Sequence, residues 1–261
     1  MSPAQALTPR AFLMLLLIAA MFGGNHVAAR FAFNDGVDVA TAVMVRSSVT
    51  ALVAGALVWS QRALWTMQGR ERKVLAGVSL LLAVQSLALY SAVARLPVAL
   101  ALLAFNMWPM FTAAWAGLLY GQRPTRRILL ATPVLLIGLA LALDAFGAAS
   151  GLGAQAQWGR IGAGVAFAVA AAAAFALMMV ITQHEIARID GRVRSAITMG
   201  VVGVLAFAVT QAQGGMHLPQ SSAGVWGLAM LTLLYGTAFV VMYTLLPRLG
   251  VGGSSPVLTI E

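Results

Sequence analysis

The chain has 261 residues, of which 61% are hydrophobic and only 9% charged, and its net charge is +9. A soluble domain carries about 25% charged residues, so a water-facing surface could not be covered and a soluble fold is excluded. Cysteine is absent, which removes disulfides and thiolate metal sites. The basic residues sit in short loops between apolar runs, so their excess reads as membrane orientation rather than nucleic-acid binding.

The predicted class is an all-α polytopic membrane protein. Eight full spans are expected at 11–33, 38–59, 74–94, 97–119, 126–146, 160–184, 194–213 and 223–246. Each reaches roughly the 20 residues that cross a bilayer core of about 30 Å. The first run is longer than the apolar core of a signal peptide and no clean cleavage site follows, so it reads as a helix. A ninth apolar stretch starts near Gly250 and reaches Glu261, too short to cross. The sequence is therefore expected to stop inside a span.

Orientation follows from the loops. With the N-terminus in the cytoplasm, the cytoplasmic segments hold Arg10; Arg62, Arg70, Arg72 and Lys73; Arg123, Arg126 and Arg127; Arg188, Arg192 and Arg194; and Arg248. These are 12 of the 16 basic residues, as the positive-inside rule requires. Trp59 and Trp65 are expected at one interface, and Trp158 and Trp226 at the other.

A shift of 153 residues aligns the chain with itself. Leu75, Ala76, Leu80 and Leu81 fall on Leu228, Ala229, Leu233 and Leu234; Tyr90 falls on Tyr243, Arg95 on Arg248, Leu96 on Leu249 and Val98 on Val251. Five spans separate equivalent positions, and an odd number inverts the second copy. Residues 1–153 form the expected first five-helix repeat. Residues 154–261 form an inverted second one, ending within its fourth helix. Inverted repeats are a transporter architecture with a midplane site between the halves. Pro109 falls on the position after Glu261, so the natural chain is expected to continue with proline and roughly 40 further residues.

The opening FGGNHVAARFAF, the arginine in VMVRSS, the YSAVARLPVALALL run with its later proline, and the LLYGQRPTRR exit together carry a resemblance. The chain resembles the EamA-type ten-helix members of the drug/metabolite transporter superfamily, among them most closely the bacterial aromatic amino acid exporters. In the family that exit commonly reads Leu-Gly-Glu-Arg; here it is Tyr120-Gly121-Gln122-Arg123, with Gln122 in place of the acid. The resemblance implies ten helices, cytoplasmic termini, a bacterial inner-membrane location and alternating access for a small organic substrate.

Candidate site residues follow from polar groups inside apolar runs. Pro109 has no N–H for the carbonyl of Phe105, so a kink is expected. In lipid that carbonyl must be met by a neighbour or by water in a cavity. Asn106 and Trp108 lie beside it near the midplane. Asn106 offers donors and acceptors, and Trp108 offers a flat apolar face. The alternative is a packed kink with Asn106 bonded to a neighbouring helix. Pro256 would kink the ninth span in the same way, making paired hinges.

Arg46 lies about 12 Å into its span. Such charges usually face a hydrated interior, and it could hold a substrate carboxylate; a tie to Asp38 or to a helix-end carbonyl is the structural alternative. Its mate at the shift of 153 is Met199. Asn25 and His26 follow Gly23-Gly24. Gln85, Tyr90, Tyr235 and Tyr243 are further cavity candidates against ordinary packing. Met178 and Met179 would add an adaptable apolar wall. Glu261 is the one acid expected near the core; Asp35, Asp38, Glu71, Asp144, Glu185 and Asp190 fall in or near loops.

The expected function is facilitative export of aromatic and other neutral amino acids, without cofactor, metal or nucleic acid, by a monomer, with a dimer as the alternative. No Walker A motif offers direct ATP drive. Export of cationic drugs is the second reading. An intramembrane enzyme using Ser254-Ser255-Pro256 and His26 has no activated-serine setting, and a receptor would need no repeat.

Overall fold

The computed structural model describes residues 9–61, 67–122 and 126–244, with side chains over 12–61, 67–122 and 128–242. Among the described residues every regular element is a helix. In chain order these are α1 (Pro9–Asn34), α2 (Val39–Ser60), α3 (Gly69–Arg95), α4 (Val98–Phe105), α5 (Trp108–Tyr120), α6 (Arg126–Ala142), α7 (Ala154–Glu185), α8 (Gly191–Ala212) and α9 (Ser222–Thr244).

Seven stretches are long and apolar enough to cross a membrane, with α4 and α5 together forming one of them, Val98–Tyr120. The protein is thus a multi-pass membrane protein. The predicted fifth span, 126–146, is corrected: α6 stops at Ala142 after 17 residues, about 26 Å at 1.5 Å per residue. Asp144 ends it locally. Its φ is 48°, and its carboxylate accepts the N–H groups of Ala149 (3.0 Å) and Ser150 (2.8 Å). The predicted sixth span, 160–184, begins earlier, at Ala154, and runs for 32 residues.

The predicted fourth span is interrupted where the proline requires. α4 ends at Phe105 and α5 begins at Trp108. Pro109 cannot donate to Phe105, and the N–H groups of Met110 and Phe111 both turn to the carbonyl of Met107, at 3.0 and 3.4 Å. α5 then ends at Gly121, whose φ of 67° suits glycine.

The chain packs as two compact units, Met1–Ser79 with Arg188–Glu261, and Leu80–Ala187. In the first, α2 and α8 lie antiparallel. Asp38 at the start of α2 meets His217 beyond the end of α8, and Gln61 at the end of α2 meets Arg192 at the start of α8. Lipid supplies no hydrophobic drive between helices, so close van der Waals packing of small residues must hold them. Ala40, Ala42 and Ala54 of α2 and Gly203 and Ala206 of α8 are buried. α1 packs against α9 in the same manner. A Cβ on Gly227 would lie 2.9 Å from the carbonyl of Ala28 and 2.8 Å from the nitrogen of Ala32.

In the second unit α7 is central. Ala88, Leu89 and Ala171 form a buried cluster against Leu102 and Phe105. The Trp115 indole N–H donates to the Ala173 carbonyl at 3.1 Å. Gln157 of α7 donates to the Leu143 carbonyl at 2.9 Å, closing the α6–α7 connection.

The α1–α9 contact generates a test. Gly227→Ala forces backbone apart and is expected to destabilise the reconstituted protein by about 1–3 kcal/mol, as overpacking does. Gly200→Ala, which meets open space, is expected to leave stability unchanged or to raise it by up to about 1 kcal/mol. Thermal unfolding of the two variants checks this; equal behaviour contradicts the packing.

Candidate functional site

Arg46 occupies the middle of the first unit. It is buried, at 2% exposure, and its guanidinium carbon lies 3.8 Å from the centroid of the Tyr235 ring. α2 places it there: its carbonyl accepts the Thr50 hydroxyl at 2.7 Å. Tyr235 is buried on α9, and its hydroxyl points to the Met199 sulfur at 3.9 Å. Phe22 meets that ring edge-on at 5.8 Å, and Phe239 stacks on it at 5.6 Å. A desolvated cation over an aromatic face is worth about 2 kcal/mol. The Asp38 carboxylate, the sequence-based alternative for Arg46, is engaged by Thr41 and His217.

Asn25 and His26 are both buried on α1. Asn25 donates to the Phe22 carbonyl, one turn back, and His26 lies within electrostatic reach of Arg46. Ser47, next to Arg46 in sequence, is buried with its hydroxyl lacking a hydrogen-bond partner among the described residues. Arg46, Tyr235, Asn25 and His26 thus belong to one unit, joined by Phe22, Phe239 and Met199. The last three carry no sequence signal beyond apolarity, apart from the position of Met199 at the shift of 153.

The second unit holds the other candidates. Asn106 caps α4, its N–H bonded to the Leu102 carbonyl at 2.9 Å. Its side chain is exposed. Trp108 is half-buried, standing edge-on to Phe175 at 5.5 Å and 89°. Phe105 tilts against the same Phe175 at 5.5 Å. An asparagine therefore sits beside three aromatic rings where the helix is broken. Gln85 and Tyr90 are buried; the Gln85 side-chain oxygen is 3.4 Å from the Ser86 hydroxyl. Met178 is buried and Met179 half-buried. Tyr243 lies on α9 with its side chain outside the described residues, and Pro256 and Glu261 lie outside them altogether.

Gln122, the departure from the family pattern, meets the His184 Nε2 at 2.9 Å. His184 stacks on Tyr120 at 3.8 Å, and Tyr120 donates to Glu185 at 3.2 Å. This cluster joins the ends of α5 and α7. Sequence reasoning passed over it, and over a second one in the first unit. There the connection from α8 to α9 lies across the α1–α2 turn. Asp35 accepts the N–H groups of Gln220 and Ser221, each at 2.8 Å. Asp38 accepts Thr41 N–H at 2.8 Å and receives the His217 Nδ1 at 3.1 Å.

Bonds from Ser221 and Gln220 hold the Asp35 carboxyl below the usual carboxylate range. Burial pushes Asp38 up, but bonds from Thr41 and His217 outweigh it and its carboxyl also lies low. Charged groups on the elements meeting here are Arg30 near the end of α1, Asp35, Asp38 and His217. Lowered carboxyls stabilise the fold above the unfolded value of about 3.9 and lose that contribution as pH falls through the folded value. Amide exchange in 217–221 is therefore expected to keep its protection from pH 8 to about 5 and to lose it only below about 4. Release near pH 6 contradicts the assignment to the two aspartates.

A protein-family model described as the EamA-like transporter family matches residues 9–143, just over half of the chain. No curated protein gives a significant match.

Proposed function

The chain belongs to the EamA-like transporter family, and from that premise we propose that it exports aromatic and other neutral amino acids by alternating access. The family consists of membrane transporters of small molecules, not of enzymes. The amino acid substrate is our reading, and the broken turn at 105–109 carries it. An exposed asparagine side chain at mid-span is costly against hydrocarbon, since lipid offers it no hydrogen bond. A water-filled substrate path meets that need. Trp108, braced by Phe175, then presents an aromatic face to an apolar side chain, and Asn106 supplies polar contacts.

Arg46 favours a substrate bearing a carboxylate. Among the described residues the acids stand at helix ends or in turns: Glu71 in the first turn of α3, Glu185 at the end of α7, and Asp35, Asp38, Asp144 and Asp190 between helices. A buried guanidinium without a mid-span acid nearby in sequence disfavours cationic drugs, the second reading. The inverted repeat also belongs to this proposal. The antiparallel α2–α8 seam supports it, as does a family match that ends at residue 143, close to the end of the first copy. A bacterial inner-membrane location with a cytoplasmic N-terminus follows from the loop charges.

Flux into proteoliposomes tests the substrate. Loss of an aromatic contact is worth about 0.5–1.5 kcal/mol, so Trp108→Ala is expected to weaken uptake of aromatic amino acids about 2- to 13-fold at low concentration, and Trp108→Phe less. Removing a charged hydrogen bond costs about 1.5–3 kcal/mol. Arg46→Gln is thus expected to weaken amino acids at least about tenfold while sparing an aromatic amine that lacks the carboxylate. An aromatic amine carried faster than any amino acid by the unmodified protein would favour the second reading instead.

Transport is proposed to be facilitative, because the described spans hold no carboxylate relay of the kind that proton antiporters use. An imposed pH difference is expected to drive no accumulation. Accumulation against a gradient that disappears in His26→Ala or Glu261→Gln contradicts it.

A further inference from the structure

Two helices of the first unit begin beside a turn of the chain that holds them, and the two fastenings differ. Positions 153 residues apart correspond: Asp35 with Arg188, Ser221 with Gln68, Gly224 with Glu71. At the start of α9, one oxygen of Asp35 takes both the Gln220 and Ser221 N–H groups at 2.8 Å. Asp38 adds the His217 ring at 3.1 Å and its N–H at 3.3 Å. A Cβ on Gly224 would overlap the Asp35 carboxylate, so the contact is tight. Carboxylate bonds to fixed backbone N–H groups are charge-assisted and short.

At the start of α3 the acid is spent within its own helix. Glu71 accepts the Gln68 N–H at 2.8 Å. Its other oxygen reaches Arg188 at only 3.8 Å, and the Arg188 side chain is 82% exposed. Exposed pairs of this kind contribute little and weaken further with salt. The neighbouring Arg192–Gln61 contact joins α8 to α2 and does not hold α3.

We propose that the start of α3 is the moving gate of this unit and that the start of α9 is its fixed closure. Parting Glu71 from Arg188 frees α3 at small cost, while the 213–221 strap stays pinned to the α1–α2 turn. The proposal rests on the family's transport activity but not on the choice of substrate.

The cysteine-free sequence makes the test direct. Glu71→Cys with Arg188→Cys, and separately Asp38→Cys with His217→Cys, are bridged in the reconstituted full chain by a short cleavable thiol reagent. Bridging 71 to 188 is expected to lower flux at least about tenfold, recovering on cleavage, while bridging 38 to 217 leaves it within about twofold. The reverse pattern, or equal loss from both, overturns the proposal. Amide exchange of the unmodified protein gives a readout independent of substrate. His217, Gln220 and Ser221 are expected to exchange more slowly than Gln68 and Arg72, and the opposite order also overturns it. Absence of flux in the unbridged protein for every amino acid indicts the substrate reading, and the exchange order then decides the gate alone.

Discussion

A bilayer core offers no water, so every polar group placed in it must find a partner within the protein. The helices show this rule at work. The hydroxyls of Thr50, Ser79, Thr112, Thr132, Thr198 and Thr232 each donate to the carbonyl one turn earlier, at 2.7 to 2.9 Å. Ionised acids cannot be treated so cheaply, and those of the described residues stand at helix ends. There they cap helices and fasten turns: Asp38 on α2, Asp190 on α8, Asp35 against α9, Asp144 beyond α6. What remains inside the spans without such a local solution is a short set of residues, and these define the candidate site.

Arg46 shows how a single charge is accommodated. It spends its helical position on a ring rather than on an acid, lying over Tyr235. Met199, its counterpart 153 residues on, approaches the same tyrosine through the hydroxyl. Two corresponding positions therefore converge on one aromatic residue, one with charge and one with a soft apolar sulfur. A site assembled from an inverted pair need not be symmetric, and the difference between arginine and methionine gives it a direction for an amphipathic ligand. The same asymmetry recurs at the helix starts, where Asp35 stands opposite Arg188 in the correspondence.

Length and apolarity made the helices legible, because crossing lipid leaves the chain little choice. They failed at 126–160. Apolarity there continues past Ala142, and only the capping chemistry of Asp144 and the positive-φ glycines Gly147, Gly151 and Gly153 breaks the helix; hydropathy does not register such turns. The break at Asn106 was legible because proline removes a specific hydrogen bond. Partners were less so. Phe175 is one apolar residue in an alanine-rich run, and nothing local says that it braces Trp108. The strap was hidden for another reason: its contacts join residues about 180 positions apart, and Asp35, Gly36 and Asp38 read alone as an ordinary turn.

Whether water reaches Asn106 decides the rest. With no native cysteine to interfere, Asn106→Cys can be exposed in sealed membranes to a charged thiol reagent that does not enter lipid. Modification at a rate that falls when a transported aromatic amino acid is present is the expected result. Reaction only with lipid-soluble reagents, indifferent to any amino acid, would place the residue against hydrocarbon or in dry packing and contradict a substrate path at the broken helix.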